Sequence, residues 1–273
     1  MDKRRIIVRD ISWLAFNARV LQEAGDETVP LRERIRCLGI FSSNRDEFFR
    51  VRVATLRRMI EFGSKANMHL EHTPENLLDE INEKVTIQQN QFNRTWANII
   101  SELKNQKIFL VTERHINREQ QKFVLNYFNE NVRSNIVPLM IEPIQAFPTL
   151  NAKSIYLACK LSTKDESIPQ LFAFVSVPSR LPRFVILPST AEGSYIILLE
   201  DIIRFCLPNI FSYFGYDTFS SNIIKVTRDA EIDIDNDVST SFIQKIEKGL
   251  KNRKKGKPVR FIFDKDIDSM LLN

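Results

Sequence analysis

The sequence predicts an α+β protein: an antiparallel helical bundle over residues 1–107, followed by a mixed α+β head domain over 108–273. Three observations carry that class. Up to about residue 107 apolar residues recur at helical spacing. Beyond it, β-branched and aromatic residues gather in short runs set off by proline and polar turns. Several links between those runs are too short for helical crossovers, which calls for a mostly antiparallel sheet. A length of 273 residues, with 43% hydrophobic and 27% charged, suits one large or two modest domains.

Taken in order, Ser12 is placed to cap a first helix whose Trp13, Phe16, Val20, Leu21 and Ala24 recur three and four apart, with Gly25 and Asp26 ending it. Pro30 opens a second helix on Leu31, Ile35 and Leu38. The polar triplet Ser42, Ser43, Asn44 interrupts the pattern, and Asn44 with Glu47 has capping-box spacing for a third helix reaching about Phe62. Thr73 and Pro74 begin a fourth of roughly 30 residues, whose stripe includes Leu77, Ile81, Val85, Gln88, Phe92, Trp96, Ile99 and Leu103. Strands are expected at Ile155–Leu161, Leu171–Val177, Arg183–Leu187, Ile223–Asp235 and Val259–Phe263, with helices at 117–133, 199–206 and 239–251. Ile267, Met270, Leu271 and Leu272 read as the first turn of a helix continuing past Asn273, so the head is expected to be incomplete at its C-terminal end.

No run of about 18 apolar residues exists to span a membrane, and the charged start, Asp2 to Arg5, is unlike a signal peptide; a cytoplasmic location is the expectation. Cys37, Cys159 and Cys206 are far apart and set among apolar neighbours, hence read as buried thiols. Net charge is +5, and the 32–58 window, with eight arginines and three acids, accounts for all of it. Arginine's planar fork matches phosphate and carboxylate oxygens, so the cluster points either to an anion or to local ion pairs on a solvated face.

Candidate chemistry is sparse. The sequence has no glycine-rich phosphate loop, nucleophile elbow or Cys/His metal set. His69 and His72 read as a surface-loop pair. The alternating acids Asp229, Glu231, Asp233, Asp235 and Asp237 fail the calcium-loop template, having Val238 where glycine and Gln244 where glutamate are needed. They read as one face of a strand, either a solvent-facing edge or a docking surface for a basic partner. Arg45 and Arg52 fall inside the apolar arc formed by Phe48, Phe49, Val53, Leu56, Met59 and Ile60, so each needs a carboxylate or a bound anion. Free N–H groups of a helix starting after Asn44 would favour the anion. Arg57 and Arg58 lie off the arc and are expected to be solvated.

The stretches Asp10–Ala24 and Pro30–Val53, with Lys107–Arg114, Pro182–Pro188, Val226–Asp233 and Pro258–Phe263, closely resemble bacterial polyphosphate kinase of the first type. The resemblance implies the amino-terminal domain and most of the head domain of an enzyme that transfers the terminal phosphate of ATP to polyphosphate, reversibly, through a phosphohistidine. It implies ATP and magnesium as cofactors, with the catalytic histidines and the magnesium ligands outside this segment. No catalytic residue or metal ligand is expected here. Asn44 matches the family's ATP-binding asparagine. Arg45 stands where the family pattern is often apolar, and Arg45 and Arg52 remain candidates for either anion binding or a structural role. The head is expected to resemble a phosphoinositide-binding, PX-like fold and to contribute to a homodimer. The enzyme is expected in the cytoplasm or peripheral to a membrane. Alternatives are a stand-alone module holding an acidic headgroup, or a dimerisation unit. Nucleic acid is disfavoured, because the aromatic residues lie on core stripes rather than among exposed basic ones.

Overall fold

In the computed structural model, the described residues are 8–62, 73–141, 150–152, 154–165, 168–229 and 256–268. The backbone divides into two units: Met1–Leu103 with Thr227–Arg260, and Lys104–Val226 with Phe261–Asn273.

The first unit is helical. Helix α1 spans Arg9–Gly25, buries Leu14, Asn17, Leu21 and Ala24, and starts at Val8 without a side-chain cap. Ser12 therefore sits inside the first turn, where its N–H already bonds the Val8 carbonyl at 3.0 Å. Helix α2 runs Leu31–Phe48 and continues without a break through a π-helical turn, Phe49–Val53, into α3, Ala54–Phe62. The expected interruption at Ser42–Asn44 is absent. Phe41 and Arg45 are both buried on either side of it, so core packing carries the helix through three residues of poor intrinsic propensity. Helix α4, Pro74–Asn105, starts where expected, with Thr73 accepting from the Asn76 N–H. Two clusters close the bundle core: Leu14, Phe48, Phe49, Val53, Leu56, Leu77 and Ile81, and Leu21, Ala24, Leu38, Phe41 and Ile99.

The second unit carries strands β1 (Ile108–Val111), β2 (Pro138–Ile141), β3 (Ile155–Ser162), β4 (Leu171–Ser176), β5 (Phe184–Thr190) and β6 (Gly193–Leu198). Helix α5 (Arg118–Tyr127) is closed by a capping box between Asn117 and Gln120, and α6 (Leu199–Phe205) and α7 (Leu207–Ile210) follow β6. Strands β7 (Thr218–Arg228) and β8 (Pro258–Phe263) each run from one unit into the other. Strand order is β1-β6-β5 in one sheet and β2-β4-β3-β7-β8 in the other. The pairings β2–β4, β3–β4, β3–β7 and β5–β6 are antiparallel, whereas β1 runs parallel to β6. At the β5–β6 turn Gly193 has φ +154°, and a Cβ there would lie 2.2 Å from the Lys107 carbonyl oxygen, so only glycine fits. Cys159 and Cys206 are buried thiols as expected, while Cys37 is only half-buried.

Candidate functional site

Antiparallel packing of α1 on α2 sets residues three and four apart on one helix against residues four apart on the other. Three rungs result. Asn44 donates from Nδ2 to Asn17 Oδ1 at 3.0 Å. Trp13 stacks on Phe48 with ring centroids 4.7 Å apart. Arg52 donates to both oxygens of Asp10, at 2.7 and 3.1 Å.

This seam relocates Asn44. It is not a helix cap: it lies in the interior of α2, so no free helical N–H groups stand beside it and the dipole argument for an anion at this point fails. What it offers is its amide, half-buried and turned toward Asn17. Asn17, which periodicity alone did not single out, is fully buried and donates from Nδ2 to the Phe41 carbonyl oxygen at 3.2 Å.

The two arginines of the apolar arc differ. Arg52 meets a carboxylate, that of the almost fully buried Asp10. Arg45, only 5% exposed, lies with its guanidinium carbon 5.0 Å from the Phe41 ring centroid and 5.8 Å from that of Phe92. Its Nε and Nη1 are buried with no hydrogen-bond partner. Burial first, then the nearby charge of Arg260, brings its pKa down to about 10, with Asp46 opposing, so it remains protonated at neutral pH. Arg260 itself pairs with Asp46 at 3.1 Å and covers the Phe49 ring at 4.7 Å.

Two further findings revise the reading of the arginine cluster. Arg58 is not solvated but ion-pairs with Asp229, whose side chain is 11% exposed; Arg57 is exposed and reaches the Pro258 carbonyl at 3.5 Å. Arg34, fully buried, bonds both oxygens of Glu102 at 2.6 and 2.9 Å and the Ala24 carbonyl at 3.0 Å. Of the acidic run only Asp229 lies among the described residues; 231–237 fall outside them, as do His69 and His72.

In the second unit a cavity of about 1140 Å³ is bordered by the loop 112–115, by Arg204, by the β7 stretch 217–222 and by the turn 264–268. His115 Nδ1 lies 3.0 Å from Thr112 Oγ1. Arg204 donates to Asp201 and Glu113 and, at 3.2 Å, to Ser221 Oγ. Burial pushes the Asp201 carboxyl up to about 7 against the pull of Arg204.

Among the described residues no group of three or more His, Cys, Asp or Glu side chains could hold a metal ion, and no helix is long and apolar enough to cross a membrane. Comparison with known proteins adds two family models: the polyphosphate kinase N-terminal domain matches residues 6–111 and the polyphosphate kinase middle domain residues 119–273. A polyphosphate kinase of Vibrio parahaemolyticus is 37% identical over 276 residues, covering 98% of this chain and 38% of its own length. One of Escherichia coli is 36% identical over 278 residues, covering 99% of this chain and 39% of its own. The crystal structure of the Porphyromonas gingivalis polyphosphate kinase superposes with a TM-score of 0.78 at 30% identity, covering 97% of this chain and 36% of that one. The chain thus spans well under half the length of these relatives, and with two successive family models covering nearly all of it, it belongs to the polyphosphate kinase family.

Proposed function

We propose that the chain forms the amino-terminal and head portions of a polyphosphate kinase that moves the terminal phosphate of ATP onto polyphosphate, reversibly. In this reading Asn44 serves the ATP site and the head, read as similar to a phosphoinositide-binding fold, serves a homodimer. The observation that best supports it is the succession of the two family models along nearly the whole chain. The phosphohistidine and the magnesium ligands belong to the part of the enzyme that this chain does not span. Magnesium there would neutralise phosphate charge; the described residues offer it no ligand set, and their contribution is to bind and orient.

The chemistry of the seam supports Asn44 as the nucleotide contact and a structural role for the arginines. The charge of Arg52 is already answered by Asp10, and the guanidinium of Arg45 is enclosed by Phe41 and Phe92. Asn44 is half-buried and its Oδ1 and second N–H bond no other described residue, whereas the unpaired nitrogens of Arg45 are fully buried. The test is steady-state kinetics in a full-length polyphosphate kinase carrying this segment. Asn44→Ala should raise KM for ATP about five- to tenfold, the equivalent of one lost hydrogen bond. Asn44→Asp should do so more strongly, since it sets a carboxylate near phosphates. Wild-type KM in both variants would remove Asn44 from the ATP site.

A further inference from the structure

The direction of the Asn17–Asn44 contact is dictated from its inner end. A backbone carbonyl can only accept, so Asn17, 3.2 Å from the Phe41 oxygen, must present Nδ2 there and Oδ1 toward α2. Facing that oxygen at 3.0 Å, Asn44 must in turn present Nδ2. Neither amide can turn over without setting like groups against each other. Asn17 has no exposed surface, and its helix neighbours Leu14 and Leu21 and its acceptor residue Phe41 are fully buried, so water cannot repair the mismatch.

We infer that Asn17 is a positioning residue that fixes the order in which Asn44 offers its remaining carbonyl oxygen and N–H, and that this order selects adenine over guanine. The inference rests on the reading of Asn44 as a nucleotide contact. An amide oxygen beside an amide N–H complements the 6-amino donor of adenine next to a ring-nitrogen acceptor. Guanine sets a donor beside a ring acceptor only at N2–H and N3, on its sugar side, and offers no such pair at position 6. Its O6 and N7 both accept, and its O6 and N1–H present acceptor and donor in the reverse order. A freely turning asparagine could satisfy that reverse order by flipping; one held by Asn17 cannot.

The experiment measures kcat/KM for ATP and for GTP in the full-length enzyme, as wild type, Asn17→Ala, Asn17→Asp and Asn44→Ala. The ratio of the two is independent of how much of each variant is folded. Asn17→Ala should lower the ATP:GTP ratio about tenfold, within the range that one bidentate base contact supplies, with the loss in KM for ATP rather than in kcat, whereas Asn17→Asp, which still sets an acceptor oxygen against Asn44 Nδ2, should keep the wild-type ratio. An unchanged ratio in Asn17→Ala, alongside a raised KM in Asn44→Ala, overturns the positioning role and leaves the nucleotide contact standing. Wild-type KM and ratio in Asn44→Ala remove both. If neither Asn17 variant accumulates, the wild type and Asn44→Ala still decide: equal kcat/KM for ATP and GTP in the wild type, or a preference for ATP that survives in Asn44→Ala, overturns the inference, and a preference that Asn44→Ala abolishes upholds the selection at this amide.

Discussion

Three arginines of one helical stretch meet the interior differently: Arg34 and Arg45 are buried and Arg52 is half-buried. Arg34 and Arg52 are held by carboxylates; removing Arg52 strands the buried Asp10, whereas Glu102, the partner of Arg34, is partly exposed. Arg45 has aromatic faces around it and two buried nitrogens without hydrogen bonds. Cation–π attraction of about 0.5–2 kcal/mol does not fully replace lost hydration. Arg45→Met should therefore leave the melting temperature unchanged or raise it, whereas Arg52→Ala should lower stability by about 1–3 kcal/mol, both read by thermal and urea denaturation. A clear drop with Arg45→Met would mean that the guanidinium has a partner the geometry does not reveal. The helical wheel placed both arginines on the buried arc, and that much was legible. Asp10 was not, because it lies 42 residues from Arg52 and only helix packing brings it near. Asp201 supplies a pH test. Its carboxyl is raised from 3.8 to about 7, so between those values the folded chain holds a proton the unfolded chain has released. Its stabilising contribution is then complete below about pH 4 and lost as pH rises through 7. Asp201→Asn should flatten that decline in a stability-versus-pH series; an unaltered slope would assign it to other groups.

At the scale of elements, helix α2 with its continuation into α3 shows how local signals mislead. Ser42, Ser43, Asn44 and Glu47 form a credible helix start, yet Phe41, Arg45, Phe48 and Phe49 bury one continuous stripe and the helix passes through. Helix α4 was legible because its stripe is long and Thr73 caps it. Strands β3, β4 and β8 matched their runs of β-branched and aromatic residues to within about a residue. Strands β1 and β2 have only four residues each, too few to show alternation, and β6 runs without a break in apolar character into α6. The ends of β7 and β8 lie along α2 and α3 through a ladder of pairs: Asp46 with Arg260, Arg58 with Asp229, Glu61 with Lys257. Arg58 and Asp229 are mostly buried, while Glu61 and Lys257 are half or more exposed. Arg58→Ala should accordingly destabilise the fold several times more than Arg57→Ala or Lys257→Ala, each of which should cost no more than about 1 kcal/mol. Equal effects in chemical denaturation would reduce Arg58 to an ordinary surface charge.

Among the described residues no histidine is set up as a nucleophile for phosphoryl transfer. A covalent phosphohistidine needs an imidazole nitrogen free to attack and a group placed to orient it. Of the three histidines, His115 is described, and its Nδ1 is engaged by Thr112 Oγ1 beside the cavity of the second unit. His69 and His72 lie outside the described residues and outside the ungapped stretches named above, such as Pro30–Val53. Family membership was legible because it lives in long ungapped stretches such as Pro30–Val53, while the polarity lock of Asn17 on Asn44 was not, since it depends on which atom of each amide faces which neighbour. These two levels meet in one expectation. Incubated alone with radiolabelled ATP and magnesium, the 273-residue chain should take up no stable, acid-labile phosphate, whereas a full-length polyphosphate kinase carrying it should become labelled and extend polyphosphate. Acid-labile label on the isolated chain, lost on replacing His115 with Gln, would place a phosphoryl acceptor in the head and overturn the division of labour proposed for this segment.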